Sequence, residues 1–252
     1  MKKIISGLAL VLSLNGALLA DKITIFAASD LKFALDDVKV EFLKDNPNDE
    51  VETIYGSSGK GMEQIINGAP YDLFFSANME FIDKMYKSGD MTTKPKMYAL
   101  GKVVIWSKNK NFDATKGFDN LKAPWVQKIA IANPTHAPYG EKAKEAMESL
   151  DIYKTLEPKM VFGENISQTA GFVSSETADI GIIALSLVLA PTIANTEFNK
   201  YYLIDEKLHK PLEQGYGITK IGGTKPLSQK FYDYMDNKKA DVIMKKYGFV
   251  ID

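Results

Sequence analysis

KITIFAASDLKFALDDVKVEFLKDNPNDEVETIYGSSGKGMEQIINGAPYDLFFSA, residues 22–77, sets the fold class. Ile23 to Phe26 form a run of β-formers. Leu31, Ala34, Leu35, Val38 and Phe42 then recur with the helical period, on one face of a helix that Asn46-Pro47-Asn48 ends. A second strand runs through Val51 and Ile54, and the helix after it carries Met62, Ile65 and Ile66 before Gly68-Ala69-Pro70 breaks it. Asp72 to Ala77 is an almost wholly apolar short run, as expected of a strand buried on both faces. Strands alternating with helices in this way predict an α/β fold with a doubly wound module.

The same alternation continues along the chain. A helix with Phe81, Ile82 and Met85 stops at Gly89, and Tyr98 to Ser107 reads as one long strand followed by the polar loop 108–120, where the chain can cross into a second domain. A new series follows: strand Lys128–Ala132, helix Gly140–Leu150, strand Met160–Phe162, helix Ile166–Val173 and the apolar run Ile180–Leu189. Tyr201–Ile204 adds a strand, Tyr216–Ile221 returns the chain to the first domain, and the helices Leu227–Met235 and Ala240–Tyr247 close it. The expected division is a signal peptide at 1–20, a first lobe at 21–101 completed by 207–252, and a second lobe at 102–206.

The N-terminus begins MKK, continues with a short apolar stretch broken by Ser6, Ser13 and Asn15, and exits at Asp21. That reads as a secretory signal peptide cleaved after Ala20, although Leu18 stands where a small residue is preferred. Loss of Lys2 and Lys3, with no acid, moves the formal charge from -1 to -3. Such mild acidity gives no field for nucleic acid. Absence of cysteine excludes disulfides, thiol catalysis, cysteine metal sites and a lipid-modified N-terminal Cys.

Chemistry is expected in the turns. Ser29 and Ser58 each stand where a strand gives way to a helix, beside free backbone N–H groups and the positive end of the helix dipole, a site for an anion that needs no cation. Asn133 to Gly140 forms a third such turn, whose two prolines stiffen it and leave the N–H groups of Tyr139 and Gly140 free. Gly163-Glu164-Asn165-Ile166 is a fourth, and each could equally be an ordinary connection. Gly59-Lys60 lacks the glycine and the hydroxyl of a phosphate loop, since Ile54 and Gly61 occupy those places. Neither Ser57 nor Ser58 lies in the G-x-S-x-G nucleophile elbow of serine hydrolases. His136 and His209, the only histidines, read as loop or surface residues without a metal pattern. Tyr201-Tyr202 could be a phenolate pair for ferric iron, but adjacent strand residues face opposite ways, one into the core and one out.

These residues also resemble a known family, the periplasmic molybdate/tungstate-binding proteins of ABC transporters. The matching stretches are IFAASDL, YGSSGKGMEQIINGAPYDLFFSA, NPTHAPYGEKAKEAM, ADIGIIALS and the terminal KKYGF. The resemblance implies a two-domain periplasmic-binding-protein fold of type II, two α/β lobes joined by a hinge with one tetrahedral dianion in the cleft. It implies a periplasmic monomer that is not an enzyme, needs no cofactor, and delivers molybdate or tungstate to a permease in the inner membrane. By the same resemblance Ser58 supplies a hydroxyl, and Tyr139 and Ile166 supply backbone N–H groups. At the first turn the family serine falls on Asp30 in an ungapped match. An ionised carboxylate would repel a dianion, so the hydroxyl role goes to Ser29 and Asp30 keeps only its backbone N–H. Some members place a tyrosine hydroxyl on the ligand from the strand matching Gly181–Ser186, where this chain has Ala184; a water or a donor near Tyr139 could replace it. Donors alone suit a fully deprotonated anion and disfavour hydrogen phosphate, whose proton would lack an acceptor. Sulfate, phosphate or ferric iron remain alternative ligands, and a secreted hydrolase using Ser58 is a less favoured reading.

Overall fold

The computed structural model describes residues 21–251, so the expected signal peptide lies outside the described residues. The chain forms two five-stranded mixed sheets, each covered by helices. The first contains β1 (Lys22–Ala28), β2 (Glu50–Gly56), β3 (Leu73–Ser76), β4 (Lys96–Leu100) and β10 (Glu213–Ile218), in the order β2-β1-β3-β10-β4. Here β1 runs parallel to β2 and β3, while β10 is antiparallel to β3 and β4. The second contains β5 (Val103–Trp106), β6 (Ile129–Ala132), β7 (Met160–Gly163), β8 (Ile180–Ala184) and β9 (Tyr201–Leu203), in the order β7-β6-β8-β5-β9. In this sheet β6 is parallel to β7 and β8, and β5 is antiparallel to β8 and β9.

Helices α1 (Lys32–Asp45), α2 (Ser58–Ile66) and α3 (Met79–Ser88) connect the strands of the first lobe. The α1 face read from the sequence is the one that packs inward, with Ala34, Leu35, Val38 and Phe42 buried. In the second lobe α4 (Pro138–Ser149), the short α5 (Tyr153–Leu156), α6 (Ile166–Ser174) and the single turns α7 (Leu185–Val188) and α8 (Pro191–Ala194) play that part. The chain ends with α9 (Pro226–Tyr234) and α10 (Lys238–Lys246), whose Phe231 and Met244 join the first lobe's core. An aromatic group centred on Phe75, Tyr98, Tyr216 and Phe231 fills that core. Trp106, whose Nε1–H donates to the Phe198 carbonyl at 2.6 Å, anchors the other.

Two expectations about the crossing need correction. Tyr98–Ser107 is not one strand: β4 and β5 belong to different sheets, and the chain passes between them at Gly101-Lys102, before the polar loop. Gly101 sits where a Cβ would lie 2.4 Å from Gln214 Nε2 and 2.6 Å from the Tyr139 hydroxyl, so a larger residue would displace these side chains. Its N–H donates to the Leu212 carbonyl at 3.0 Å, which ties the outgoing and returning segments together. The run Ile180–Leu189 likewise divides into β8 and α7.

Tyr201 and Tyr202 also differ from the expected core and surface pair. Both are half-buried and packed on the second lobe's core, Tyr202 edge-on to Phe118 at 6.2 Å.

Candidate functional site

The parallel strands of both sheets end at one crevice, as open α/β sheets require of their ligand sites. Residues after β1, β2, β3 and β6, together with the first residue of α6, enclose a small void lined by Ala28, Ser29, Asp30, Gly56, Ser57, Ser58, Ala77, Ala137, Pro138, Tyr139 and Ile166. All five sequence-predicted site residues, Ser29, Asp30, Ser58, Tyr139 and Ile166, lie in this wall. The void measures ≈ 10 Å³, about the space of one water, so the lobes are closed on each other.

The serines are not caps. Ser58 is the first residue of α2, after an N-cap at Ser57 that makes no side-chain capping bond. Fully buried, Ser58 Oγ accepts the Ala77 N–H at 2.9 Å. Because that contact uses an acceptor lone pair, the hydroxyl proton is left to donate. Ser29 opens a three-residue 3₁₀ turn. Its Oγ–H donates to Asn165 Oδ1 at 3.1 Å, and its Oγ accepts the Ser167 N–H at 3.2 Å, both from the opposite lobe.

Tyr139 follows Pro138, the first residue of α4, and Ile166 is the first of α6. N–H groups in a helix's first turn have no acceptor within the helix. Those of Tyr139 and Ile166 find no backbone acceptor elsewhere among the described residues. Gly140 holds this turn against β6: a Cβ there would lie 2.0 Å from the Ala132 carbonyl oxygen.

Several participants were missed. Sequence reasoning allows Asp30 only its backbone N–H, yet its side chain is buried, with Oδ2 accepting from the Tyr139 hydroxyl and from Gln214 Nε2, each at 2.9 Å. Burial pushes this carboxyl up to about 6, against hydrogen bonds from Gln214, Tyr139 and the backbone N–H groups of Asp30 and Leu31 that favour its ionised form. Burial, with Asp30 beside it, holds the Tyr139 hydroxyl well above the usual range, so it remains a donor. The expectation that the wall offers donors alone therefore fails: it includes a carboxylate. Nothing in local spacing signals a contact between positions 30, 139 and 214.

His136, a loop or surface residue by its sequence setting, instead lies between the lobes beside the void. Its Nδ1 is 2.9 Å from Ser57 Oγ, its Nε2 is 3.6 Å from Glu164, and its carbonyl accepts the Gly59 N–H at 2.9 Å across the lobes. His209 is buried as well, with Nδ1 2.8 Å from the Lys210 carbonyl. Ala184 ends β8, fully buried in the second lobe's core. Two residues on, Ser186 Oγ–H donates to the Asp30 carbonyl at 2.7 Å. Among the described residues, no cluster of three or more His, Cys, Asp or Glu could hold a metal ion.

Comparison with known proteins agrees with this architecture. The family described as bacterial extracellular solute-binding proteins matches residues 23–250. The chain belongs to that family. It is 34% identical to the molybdate-binding protein ModA of Rhodobacter capsulatus over 204 residues, 79% of this chain and 76% of that protein. With ModA of Escherichia coli it shares 31% identity over 255 residues, 98% and 96% of the two chains. Among solved structures, the periplasmic molybdate-binding protein of Azotobacter vinelandii superposes with a TM-score of 0.84 at 28% identity, covering 91% of this chain and 99% of that one. The fold is thus the two-lobed type II arrangement of periplasmic binding proteins.

Proposed function

We propose that the chain binds one tetrahedral dianion, molybdate or tungstate, between its lobes and delivers it to an ABC transporter permease in the inner membrane. The observation that carries this reading is the convergence of strand-to-helix turns from both sheets on one small void between the lobes. There a free serine hydroxyl and unpaired helix N-terminal N–H groups meet, with no lysine or arginine in the wall. Oriented dipoles of that kind stabilise an anion without a countercharge. Similarity to the molybdate-binding proteins of R. capsulatus, E. coli and A. vinelandii supports the choice of ligand.

In this reading Ser58 donates its hydroxyl and Tyr139 and Ile166 donate backbone N–H groups. Ser29 turns its hydroxyl proton from Asn165 to the ligand, and Asp30 adds its own N–H. The Tyr139 hydroxyl is committed to Asp30 and has no proton left for the ligand, so it does not replace the donor missing at Ala184. The lobes, 21–101 with 207–252 and 102–206, hinge where Gly101 meets Leu212. A void too small for the ion means that loading requires them to part. Residues 1–20 direct export, and the mature protein works in the periplasm as a monomer without enzymatic activity or cofactor.

Calorimetric titration of the purified protein with molybdate, tungstate, sulfate, phosphate and ferric citrate tests the assignment. Tight one-to-one binding of molybdate or tungstate, with the others at least a hundredfold weaker, is the expected result. Preferential binding of sulfate, phosphate or iron would overturn it.

A further inference from the structure

One group in the wall of the void is left over by the reading above. Asp30 commits Oδ2 to two donors, while Oδ1 is buried and has no hydrogen-bond partner. The groups facing this side chain are the Tyr139 hydroxyl from α4, the Gln214 amide from β10, the backbone N–H groups of Asp30 and Leu31, and the Tyr98 hydroxyl from β4, itself bonded to Gln214 Oε1 at 2.6 Å. Ser186, after β8, is bonded to the Asp30 carbonyl. Among the described residues the partners of the Asp30 carboxyl are neutral, and no cation contributes to its environment. An ionised carboxylate in that position, next to N–H groups that receive a dianion, meets a like charge in a dry site. A neutral carboxyl with its proton on Oδ1 is a donor instead.

Resting on the oxyanion reading, we propose that Asp30 is a specificity-determining residue that takes one proton from solvent as the dianion binds, so that its Oδ1–H donates to a ligand oxygen. The proton balance is one solvent proton per bound dianion, with no bond in the anion broken. Burial already brings the empty site's carboxyl to about 6, and the bound charge raises it further. Affinity for a fully deprotonated anion then falls by up to about tenfold per pH unit above neutrality, until the carboxyl in the complex itself ionises.

The test is calorimetric titration with sodium molybdate between about pH 7 and 8.5, in pairs of buffers of different ionisation enthalpy, so that protons exchanged are counted directly. The wild-type protein is expected to take up close to one proton per molybdate and to lose affinity about tenfold per pH unit. Asp30→Asn, a permanent amide donor of the same shape, is expected to bind without proton uptake and without that slope. His136→Gln is expected to keep the proton count, which separates Asp30 from the other titratable side chain in the crevice. Molybdate binding by the wild-type protein with no proton exchanged overturns the proposal, as does a count that survives in Asp30→Asn. The wild-type measurement decides even if a variant does not fold. Inorganic phosphate bound as tightly as molybdate without proton uptake also overturns it, because Asp30 would then be accepting the ligand's own proton. No binding of molybdate or tungstate at any pH is a different failure, that of the oxyanion reading itself.

Discussion

Replacing Asp30 with asparagine should stabilise the empty protein, and more so at alkaline pH. The folded carboxyl titrates at about 6 against an ordinary value of 3.8. A raised carboxyl contributes its stability in full only below the unfolded value. That contribution is lost as the pH rises through the folded one, and above it the folded state carries the whole penalty of an ionised buried group. At about 1.4 kcal/mol per pH unit, the penalty is about 3 kcal/mol above pH 7 and only about 1 kcal/mol near pH 4.5. Asparagine does not titrate, can accept the Tyr139 and Gln214 bonds through Oδ1, and places its amide where the unpartnered oxygen was. The stability difference between Asp30→Asn and wild type should therefore grow by about 2 kcal/mol from pH 4.5 to pH 8. For a protein of this size that is a rise of about 4–8 °C in relative midpoint. Urea denaturation of ligand-free protein, followed by circular dichroism at both pH values, measures it. A difference that is flat with pH, or that shrinks toward pH 8, would refute the reasoning.

Ser58→Ala should weaken molybdate binding at least tenfold by calorimetry. It should also cost about 1–3 kcal/mol of stability, because the buried Ala77 N–H loses its acceptor; unchanged affinity would remove Ser58 from the site. Gly140→Ala forces a Cβ to 2.0 Å from the Ala132 carbonyl, so a drop of more than about 2 kcal/mol in denaturant-derived stability is expected, with weakened binding from a displaced Tyr139. Lys225→Met leaves Asp72, fully buried and 2.9 Å from Lys225 Nζ, without its cation; since the lysine is itself part-exposed, a loss of about 1–3 kcal/mol is expected in the same assay.

How much of this was legible in the sequence depended on the range of the interactions. The face of α1, the turns at Ser29 and Ser58, and the proline-stiffened loop before Tyr139 are local patterns, and periodicity with turn chemistry reveals them. Gly101-Lys102 does interrupt the β-forming run Tyr98–Ser107, but nothing local says that its two halves join different sheets. There Gln214 and Tyr139, 113 and 38 positions from Gly101 respectively, come close to it. Asp30 was underestimated for the same reason. Its partners come from α4 and β10, and without them a carboxylate beside an anion site looks only repulsive. His136 shows the complementary error, a loop residue in sequence that lobe closure brings against Ser57.

The central claim is that one oxyanion sits between Ser58, Tyr139 and Ile166 in the closed cleft. Anomalous scattering at the molybdenum edge from crystals grown with equimolar molybdate tests it most directly. The account requires a single strong peak in the void, with its oxygens within about 2.7–3.2 Å of Ser58 Oγ and of the Tyr139 and Ile166 nitrogens. A peak elsewhere on the protein, or no peak in protein saturated with molybdate, would contradict it.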